Sequence, residues 1–283
     1  MRDEILSAEP VVEEEVDAGD PLSAEGGLRP RSLDDFVGQA ELKNHLRIVL
    51  EAARQRGQAV DHLLFAGPPG LGKTTLAGIV AAEMGVALHV TSGPALERAG
   101  DLAASRSKLD DGAVRVSEAI HRLSRAVEEE RYAAREEFEL DILVGKGPAA
   151  SSIRMSLARF TLVGATTRTG LITGPLRDRF GLVARLEYYD AADLESIVVR
   201  AAGILGVPVD RDGAREIAGR ARGTPRIANR LLRRVQDYAE VDGAGKVDEA
   251  TAREGLAIFG VDDLGLDKVD RAILCLLYTS PSP

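Results

Sequence analysis

The chain has 283 residues, of which 45% are apolar and one is cysteine, and its formal net charge is −9. This length suffices for one large domain or two modest ones, and a single cysteine excludes an intramolecular disulfide framework and a cysteine-based zinc cluster. No apolar run approaches the roughly 18 residues of a membrane span, and the N-terminus lacks a signal-peptide pattern, so we expect a cytoplasmic protein without membrane association.

The first 27 residues form an acidic segment. Positions 1–20 hold eight acidic residues and one basic residue, so seven of the nine net negative charges lie there and the remaining chain carries −2. Segment 1–27 is poor in large apolar side chains, which cannot offset the entropy of ordering, and we predict a disordered tail. Because nucleic acids are recognised by local patches rather than by net charge, the acidic balance does not argue against DNA binding.

From Leu28 onward, short apolar runs alternate with helical patterns. The predicted strands are Leu63–Phe65, Val86–Val90, Phe160–Val163 and Leu182–Leu186, and the predicted helices of this region are Glu41–Arg54 and Thr74–Met84. Such alternation is typical of an α/β fold in which helices flank a mostly parallel sheet.

Residues 191–260 carry helical patterns and no convincing strand. The predicted helices are Leu194–Leu205, Gly213–Ala221, Pro225–Ala239 and Glu249–Phe259. Their apolar positions recur at helical spacing, which indicates a smaller all-helical domain. We therefore predict a large domain over 28–187 and a helical domain over 188–260.

The clearest chemical signal is a glycine-rich loop between the first predicted strand and its helix. Residues 67–74 read Gly-Pro-Pro-Gly-Leu-Gly-Lys-Thr, which matches the G-x-x-x-x-G-K-[ST] pattern in its required context. Gly67, Gly70 and Gly72 would let backbone N–H groups turn toward phosphate oxygens, and the helix N-terminus adds partial positive charge. Lys73 would reach the β- and γ-phosphates of ATP, and Thr74 would hold Mg²⁺. The alternative is a plain turn between a strand and a helix.

Six further strings accompany this loop along the chain. They are Asp61–Leu64, Thr91–Pro94, Ile120–Leu123, Gly164–Arg168, Leu176–Gly181 and Gly223–Arg230. From about Leu28 to Gly265 the sequence resembles the RuvB family of AAA+ motors, which drive branch migration of Holliday junctions. The resemblance implies a P-loop AAA+ large domain, a helical lid domain and ATP hydrolysis coupled to DNA helicase activity. It also implies a homohexameric ring and three kinds of partner, namely Holliday-junction or duplex DNA, RuvA and RuvC.

The resemblance further implies roles for single residues. Thr167, or its neighbour Thr166, resembles the polar sensor beside the phosphate loop. Arg179 resembles the arginine finger that approaches the γ-phosphate held by a neighbouring subunit, where a cation stabilises the transferring group. Arg226 resembles the lid-domain sensor. Other positions similar to nucleotide-contacting residues of the family are Leu28, Arg29, Thr75, Glu136, Glu137, Phe138 and Tyr189.

The position of Arg226 in its predicted helix supports a functional role independently of the resemblance. Thr224 is a favourable N-cap and Pro225 a favourable first helical residue, which places Arg226 in a first turn where the helix dipole disfavours a cation. Because this position is unfavourable for a cation, we hypothesise that Arg226 has a functional role. The alternative for any one of these arginines is a solvated surface charge.

Residues 138–160 contain turn residues between two apolar runs. Gly145–Pro148 separates Leu140–Val144 from a run that contains Ile153, Met155 and Leu157, which predicts a hairpin with an exposed tip. The resemblance implies that this hairpin docks on RuvA. The alternative is a surface flap without a partner.

The sequence departs from the family at the second ATPase motif, where an apolar strand should end in Asp-Glu. The metal-side position holds Glu118 and the position of the general base holds Ala119, while Arg115 interrupts the apolar strand. A buried charge is costly unless it is paired. We expect Glu118 to serve as a metal and catalytic residue in place of Asp, with ATP hydrolysis impaired. An alternative is that residues 105–135 reflect a sequence error or damage.

The sequence also departs from the family after residue 260. Residues 261–283 resemble the beginning of a winged-helix DNA-binding domain and end in Ser-Pro-Ser-Pro, which does not resemble the family and cannot extend a helix. We expect weak intrinsic DNA affinity. Two other functions stay open, namely a nucleotide-binding assembly or regulatory subunit and another AAA+ remodeller such as a clamp loader.

Overall fold

The structure, a computed structural model, describes residues 27–92, 112–118, 120, 139–144, 151–156, 159–243 and 245–279. The predicted tail before residue 27 and the predicted nucleotide contacts Glu136, Glu137 and Phe138 lie outside these ranges. The chain forms two compact units. The first contains His45–Ala66 and Leu76–Arg185, and the second contains Gly67–Thr75, Leu186–Pro283 and the segment that ends at Asn44.

A five-stranded parallel sheet organises the first unit. Its strands are β1 (Leu63–Ala66), β2 (Leu88–Ser92), β3 (Val114–Glu118), β6 (Thr161–Thr166) and β7 (Leu182–Arg185), in the order β2-β3-β6-β1-β7. Every residue of β1 and β6 is buried, as expected for central strands of a parallel sheet covered on both faces. The predicted α/β fold is confirmed.

The two helices predicted for this region form as α1 (Ala40–Arg56) and α2 (Lys73–Met84). A short helix that was not predicted, α3 (Gly174–Arg177), follows a 3₁₀ turn at Thr169–Leu171. Arg54 near the end of α1 forms an ion pair with Glu83 of α2 at 3.1 Å. Strand β6 runs three residues beyond the predicted Val163, because the small residues Gly164 and Ala165 pair in register with β1.

One apolar cluster of the first unit lies against β1, β3 and β6. Its buried residues are Leu64, Ala113, Ile120, Phe160, Leu162, Leu176 and Phe180. Gly164 faces this cluster, and a Cβ atom there would lie 3.0 Å from side-chain atoms of both Ile120 and Leu64. Arg115 does not prevent β3 from forming, although only 2% of it is exposed.

The predicted hairpin is confirmed as a separate two-stranded sheet. Strand β4 (Glu139–Val144) pairs antiparallel with β5 (Ser151–Ser156), and Ile142 lies opposite Ile153. The tip at 145–150 lies outside the described residues.

The second unit is helical beyond residue 190. Its helices are α4 (Ala191–Leu205), α5 (Arg211–Gly219), α6 (Pro225–Val241), α7 (Glu249–Ile258) and α8 (Lys268–Thr279). Asp190, Asp210 and Asp248 each cap a helix by accepting a hydrogen bond from the backbone N–H three residues later. The cap at Asp210 explains why α5 starts two residues before the predicted Gly213.

Strand pairing is minimal in this part of the second unit. Between residues 191 and 260, apart from the undescribed position 244, the only bridge joins Val209 to Val247.

No helix among the residues that the structure covers is both long enough and apolar enough to cross a bilayer.

The tight environment of Gly164 generates a stability prediction. Gly164→Ala would press a methyl group against Ile120 and Leu64. We expect the free energy of unfolding to fall by about 1–2 kcal/mol, because overpacking a core reduces its stability by about this amount. The measurement is urea denaturation followed by circular dichroism.

Gly170→Ala is the matched control for this substitution. A Cβ atom at Gly170 has no neighbour within 4 Å, so its effect should stay within about 0.5 kcal/mol. Equal effects of the two substitutions would contradict the tight packing at Gly164.

Candidate nucleotide-binding site

The predicted phosphate loop adopts a conformation that depends on glycine. It leaves β1 after Ala66 and enters α2 at Lys73. The φ angles of Gly67, Gly70 and Gly72 are +141°, +82° and +99°, in a region that residues with a Cβ atom rarely adopt.

The start of α6 lies against Gly70. A Cβ atom at Gly70 would lie 2.8 Å from Cγ2 of Thr224 and 3.0 Å from Cβ of Arg226. The backbone N–H of Arg226 donates a hydrogen bond to the carbonyl oxygen of Gly70 at 3.3 Å. The structure thus brings Arg226 and the loop together at Gly70.

Thr224 occupies the N-cap position of α6, but its hydroxyl does not cap the helix. The hydroxyl Oγ1 donates instead to the carbonyl oxygen of Arg222 at 3.3 Å. Pro225 is the first helical residue, as predicted. The backbone N–H of Arg226, in the first turn of α6, therefore has the carbonyl oxygen of Gly70 as its acceptor and not a capping side chain.

Lys73 places its ammonium group within the loop. Its Nζ donates to the carbonyl oxygens of Gly67 at 2.9 Å and Pro68 at 2.7 Å. Thr74 and Thr75 follow in the first turn of α2 and are half-buried. A cation at the mouth of a glycine-lined turn suits a polyphosphate anion, so the residues present fit ATP.

Tyr189 supports the loop from the segment that precedes α4. Its hydroxyl donates to the carbonyl oxygen of Leu71 at 3.1 Å, and its backbone N–H donates to the carbonyl oxygen of Gly223 at 2.9 Å. Burial, with a smaller contribution from the charge of Asp193, raises the pKa of Tyr189 above its ordinary value. The phenol therefore stays protonated at neutral pH and remains a hydrogen-bond donor to the loop.

The segment before α1 supplies the other predicted contacts of the second unit. Leu28 is buried, and its carbonyl oxygen accepts a hydrogen bond from Arg200 of α4 at 2.8 Å, whereas Arg29 is exposed. Phe36 contacts the loop, since its ring lies 3.1 Å from the position that a Cβ atom of Gly72 would occupy.

Gln39 is a support that the sequence analysis missed. Its amide nitrogen donates to the carbonyl oxygen of Glu187 at 2.8 Å, and its amide oxygen accepts from the N–H of Glu187 at 3.3 Å. This two-point contact holds the chain immediately before Tyr189. Gln39 has a φ angle of +50°. Its partner Glu187 lies far away in the sequence, and no sequence pattern indicates the contact.

The predicted sensor position lies at the end of β6 in the first unit. Thr166 is buried, and its hydroxyl oxygen accepts a hydrogen bond from the N–H of Arg168 at 3.0 Å, whereas Thr167 is exposed. Thr166 is in register with Ala66, the last residue of β1. Glu118 is the last residue of β3, in register with Ala165.

Arg179 borders an open cavity of the first unit. The cavity has a volume of about 420 Å³, and its charged or polar lining includes Asp61, His62, Arg159, Asp178 and Arg179. Arg179 is half-buried. The resemblance implies a role in trans for Arg179, and that role stays a prediction.

Two protein-family models match most of the chain. The model of the Holliday junction DNA helicase RuvB P-loop domain matches residues 28–186, and the model of the RuvB AAA lid domain matches residues 189–262.

Curated relatives and solved structures point to the same family. The chain is 62% identical over 250 residues to the Holliday junction branch migration complex subunit RuvB of Rubrobacter xylanophilus, covering 88% of this chain and 70% of that protein. Identity to the same subunit of Corynebacterium diphtheriae is 58%, covering 88% of this chain and 69% of that protein. The solved Thermotoga maritima RuvB Holliday junction branch migration motor superimposes with a TM-score of 0.82 at 45% identity, covering 89% of this chain and 80% of that one.

The approach of α6 to Gly70 generates a binding prediction. Gly70→Ala would force Thr224 and Arg226 away from the loop, and we expect the Kd for a fluorescent ADP analogue with Mg²⁺ to rise at least about tenfold, or about 1.4 kcal/mol. Fluorescence titration measures this change.

Gly85→Ala serves as the matched control. Gly85 also has a positive φ angle, +67°, but a Cβ atom there would meet nothing within 4 Å. Its Kd should therefore stay within about twofold of the unmodified protein, because only backbone strain is introduced. Unchanged affinity in Gly70→Ala would show that the close approach is irrelevant to binding.

Proposed function

This chain belongs to the RuvB family, and on that premise we propose that it is an ATP-dependent motor subunit that drives branch migration of Holliday junctions. The observation that carries the proposal is the loop of residues 67–74, supported by Lys73, Tyr189 and the N-H of Arg226. The clamp-loader alternative is not favoured, because both matching family models are specific to RuvB.

The second unit holds most of the residues proposed to bind ATP. Lys73 would neutralise the β- and γ-phosphates, and the glycines of the loop leave room for phosphate oxygens at the backbone. Tyr189 and Leu28 would position the loop and the adjoining segment. Arg226 would place a guanidinium beside the γ-phosphate, where its charge offsets the charge of the transferring group.

Mg²⁺ would be held largely by oxygens. The structure shows no group of three or more His, Cys, Asp or Glu side chains suited to a metal among the residues that it describes. Thr74 and Glu118 are the proposed protein ligands, and Mg²⁺ in nucleotide sites commonly takes its other ligands from phosphates and water. When bound, Mg²⁺ would neutralise charge on the phosphates.

The remaining proposed catalytic residues lie in the first unit. Thr167, or its neighbour Thr166, would sense the γ-phosphate. Arg179 would act on the nucleotide of a neighbouring subunit in a homohexameric ring, because a finger residue of this family is supplied in trans. The cavity beside Arg179 leaves room for such an approach.

Partners follow from the same family membership. We propose Holliday-junction or duplex DNA as the substrate, RuvA as a partner bound through the hairpin of residues 138–160, and RuvC as a partner in the complete complex. We further propose that the protein acts in the cytoplasm and takes part in DNA repair. The pairing of β4 with β5 supplies the hairpin framework. The division into domains 28–187 and 188–260, and the winged-helix character of 261–283, stay predictions.

ATP hydrolysis by this chain is proposed to be slow. Glu118 has a longer side chain than the expected Asp, and Ala119 offers no carboxylate to polarise the attacking water. These are separate tasks, since one group orients the metal and the other acts on water. Nucleotide binding does not require Ala119, so binding and hydrolysis should be separable.

The motif generates a prediction of restored activity. The double substitution Glu118→Asp with Ala119→Glu should raise kcat for ATP hydrolysis about 10²-fold or more, as expected for a positioned general base. The double variant should also dissociate a synthetic four-way junction in the presence of ATP and a RuvA protein. Steady-state phosphate release and gel analysis of the junction measure the two activities.

Two further variants test the proposal. Glu118→Asp alone should leave hydrolysis slow, and Lys73→Ala in the double variant should abolish it. A double variant that binds nucleotide but neither hydrolyses ATP nor moves a junction would contradict the motor function.

A further inference from the structure

The segment of residues 220–226, which we call the lid turn, has contacts in two directions. At its end, the N–H of Arg226 donates to the carbonyl oxygen of Gly70 in the phosphate loop. At its beginning, Arg220 contacts Asp263 in the chain that leads into α8, and Arg222 contacts Asp270 in the first turn of α8. The lid turn therefore links the candidate nucleotide site to the C-terminal helix, and all of these residues belong to the second unit.

Arg222 is attached to the first turn of α8. Its guanidinium donates to Oδ2 of Asp270 at 2.7 Å, and the two side chains are only 34% and 30% exposed. The same Oδ2 accepts the N–H of Asp267, and Oδ1 of Asp267 accepts the N–H of Asp270. Because these reciprocal bonds form the N-terminal cap of α8, a force on Asp270 acts on the helix start itself.

Arg220 holds the connection between α7 and α8. It is 4% exposed, and its guanidinium donates to Oδ1 of Asp263 at 2.8 Å and to the carbonyl oxygen of Val261 at 3.2 Å. Gly265 packs against the backbone of Arg220 so closely that a Cβ atom would lie 2.2 Å from the carbonyl oxygen of Arg220. This connection offers little slack between the lid turn and α8.

The backbone of the lid turn is strained at Arg222. Its φ angle is +50°, and among the residues that the structure describes only Gln39 is another non-glycine residue with positive φ. Such strain persists only where surrounding contacts determine it, and it recurs at switch regions. Here the neighbouring contacts are the Arg222–Asp270 ion pair and the bond from Tyr189 N–H to the carbonyl oxygen of Gly223.

The charges around the start of α8 support a stable connection. The pKa of Asp267 is lowered, chiefly by the hydrogen bond from the N–H of Asp270 and to a smaller extent by Arg222 and Arg230. The carboxylate of Asp267 is therefore ionised at neutral pH, and its charge interacts favourably with Arg222 of the lid turn and Arg230 of α6.

We propose that Arg222 is a positioning residue that couples the phosphate loop to α8, through the path Gly70, Arg226, the lid turn, Arg222 and Asp270. This inference rests on the proposed nucleotide-binding function and deepens it. A nucleotide that changes the contact between Gly70 and Arg226 shifts the lid turn, and the Arg222–Asp270 ion pair passes the shift to α8. By linkage, the position of α8 in turn influences nucleotide affinity.

The single cysteine allows a direct test on the whole chain. Cys275 lies on α8 and is exposed, so a maleimide fluorophore reports on this helix without further mutation. We expect saturating MgADP to change the emission or anisotropy of the label. Binding itself is measured separately, with a fluorescent ADP analogue and unlabelled protein.

The variants remove the ion pair from each side. Arg222→Gln and Asp270→Asn should each reduce the label response at least about threefold, while the Kd for the ADP analogue changes by no more than about fivefold. Asp270→Asn retains an oxygen that can accept the N–H of Asp267, so the cap of α8 survives and only the charge is lost. Arg222→Lys retains the charge and should keep more of the response than Arg222→Gln.

A double-substitution cycle distinguishes coupling from general damage. Arg222→Gln combined with Asp270→Asn should reduce the response no further than either single substitution, because both remove one interaction. Arg211→Gln is the matched control, since the ion pair of Arg211 with Glu195 of α4 at 2.9 Å lies outside the proposed path, and it should leave the response unchanged. Circular dichroism verifies the fold of each variant, and Asp270→Asn carries the test if Arg222→Gln unfolds.

Two other outcomes would contradict the coupling role of Arg222, and one would contradict the proposed function. Full responses in both single variants, or no response in the unmodified protein although the ADP analogue binds, would overturn the coupling role of Arg222. If folded, unlabelled protein bound no ADP analogue, the proposed function would fail, and this inference with it.

Discussion

Four carbonyl oxygens of the phosphate loop accept hydrogen bonds from Lys73 of the loop itself or from distant residues of the second unit. Those of Gly67 and Pro68 accept from Lys73, that of Gly70 accepts from the N–H of Arg226, and that of Leu71 accepts from Tyr189. Because a carbonyl oxygen repels an anion, carbonyl groups that are turned toward donors of the protein leave the N–H groups of the loop to face phosphate oxygens. The orientation of the loop thus depends on residues that are distant in sequence.

Local patterns were sufficient to predict four strands of the sheet, the hairpin and the four helices between residues 191 and 260, whereas β3 and α8 were not predicted from them. Apolar runs such as Leu63–Phe65 are short and bounded by turn residues, and the spacing of the α6 residues is helical. Strand limits were less accurate where small residues such as Gly164 and Ala165 extend a ladder without adding an apolar signal. The Arg115 position shows the same limit, since strand pairing with β2 and β6 forms β3 in spite of the charge.

The site was predictable where chemistry follows contiguous sequence, and less so where it depends on distant contacts. The phosphate loop was evident from its own residues, and Arg226 from helix chemistry together with the family resemblance. Gln39 and Asp270 were not found, because their partners Glu187 and Arg222 lie far away in the chain and neither pair has a motif. The hydroxyl of Thr224 was expected to cap α6, but the carbonyl of Arg222 is its partner.

The contact at Gly70 has a consequence for how the chain tolerates change. Position 70 lacks room for even one methyl group while Thr224 and Arg226 keep their places. The close contact and the positive φ angle both favour glycine at position 70, so residues 224 and 226 evolve under a constraint that a distant part of the chain sets. A library that keeps Gly70 and varies residues 224 and 226 would therefore retain more functional sequences than one that randomises position 70.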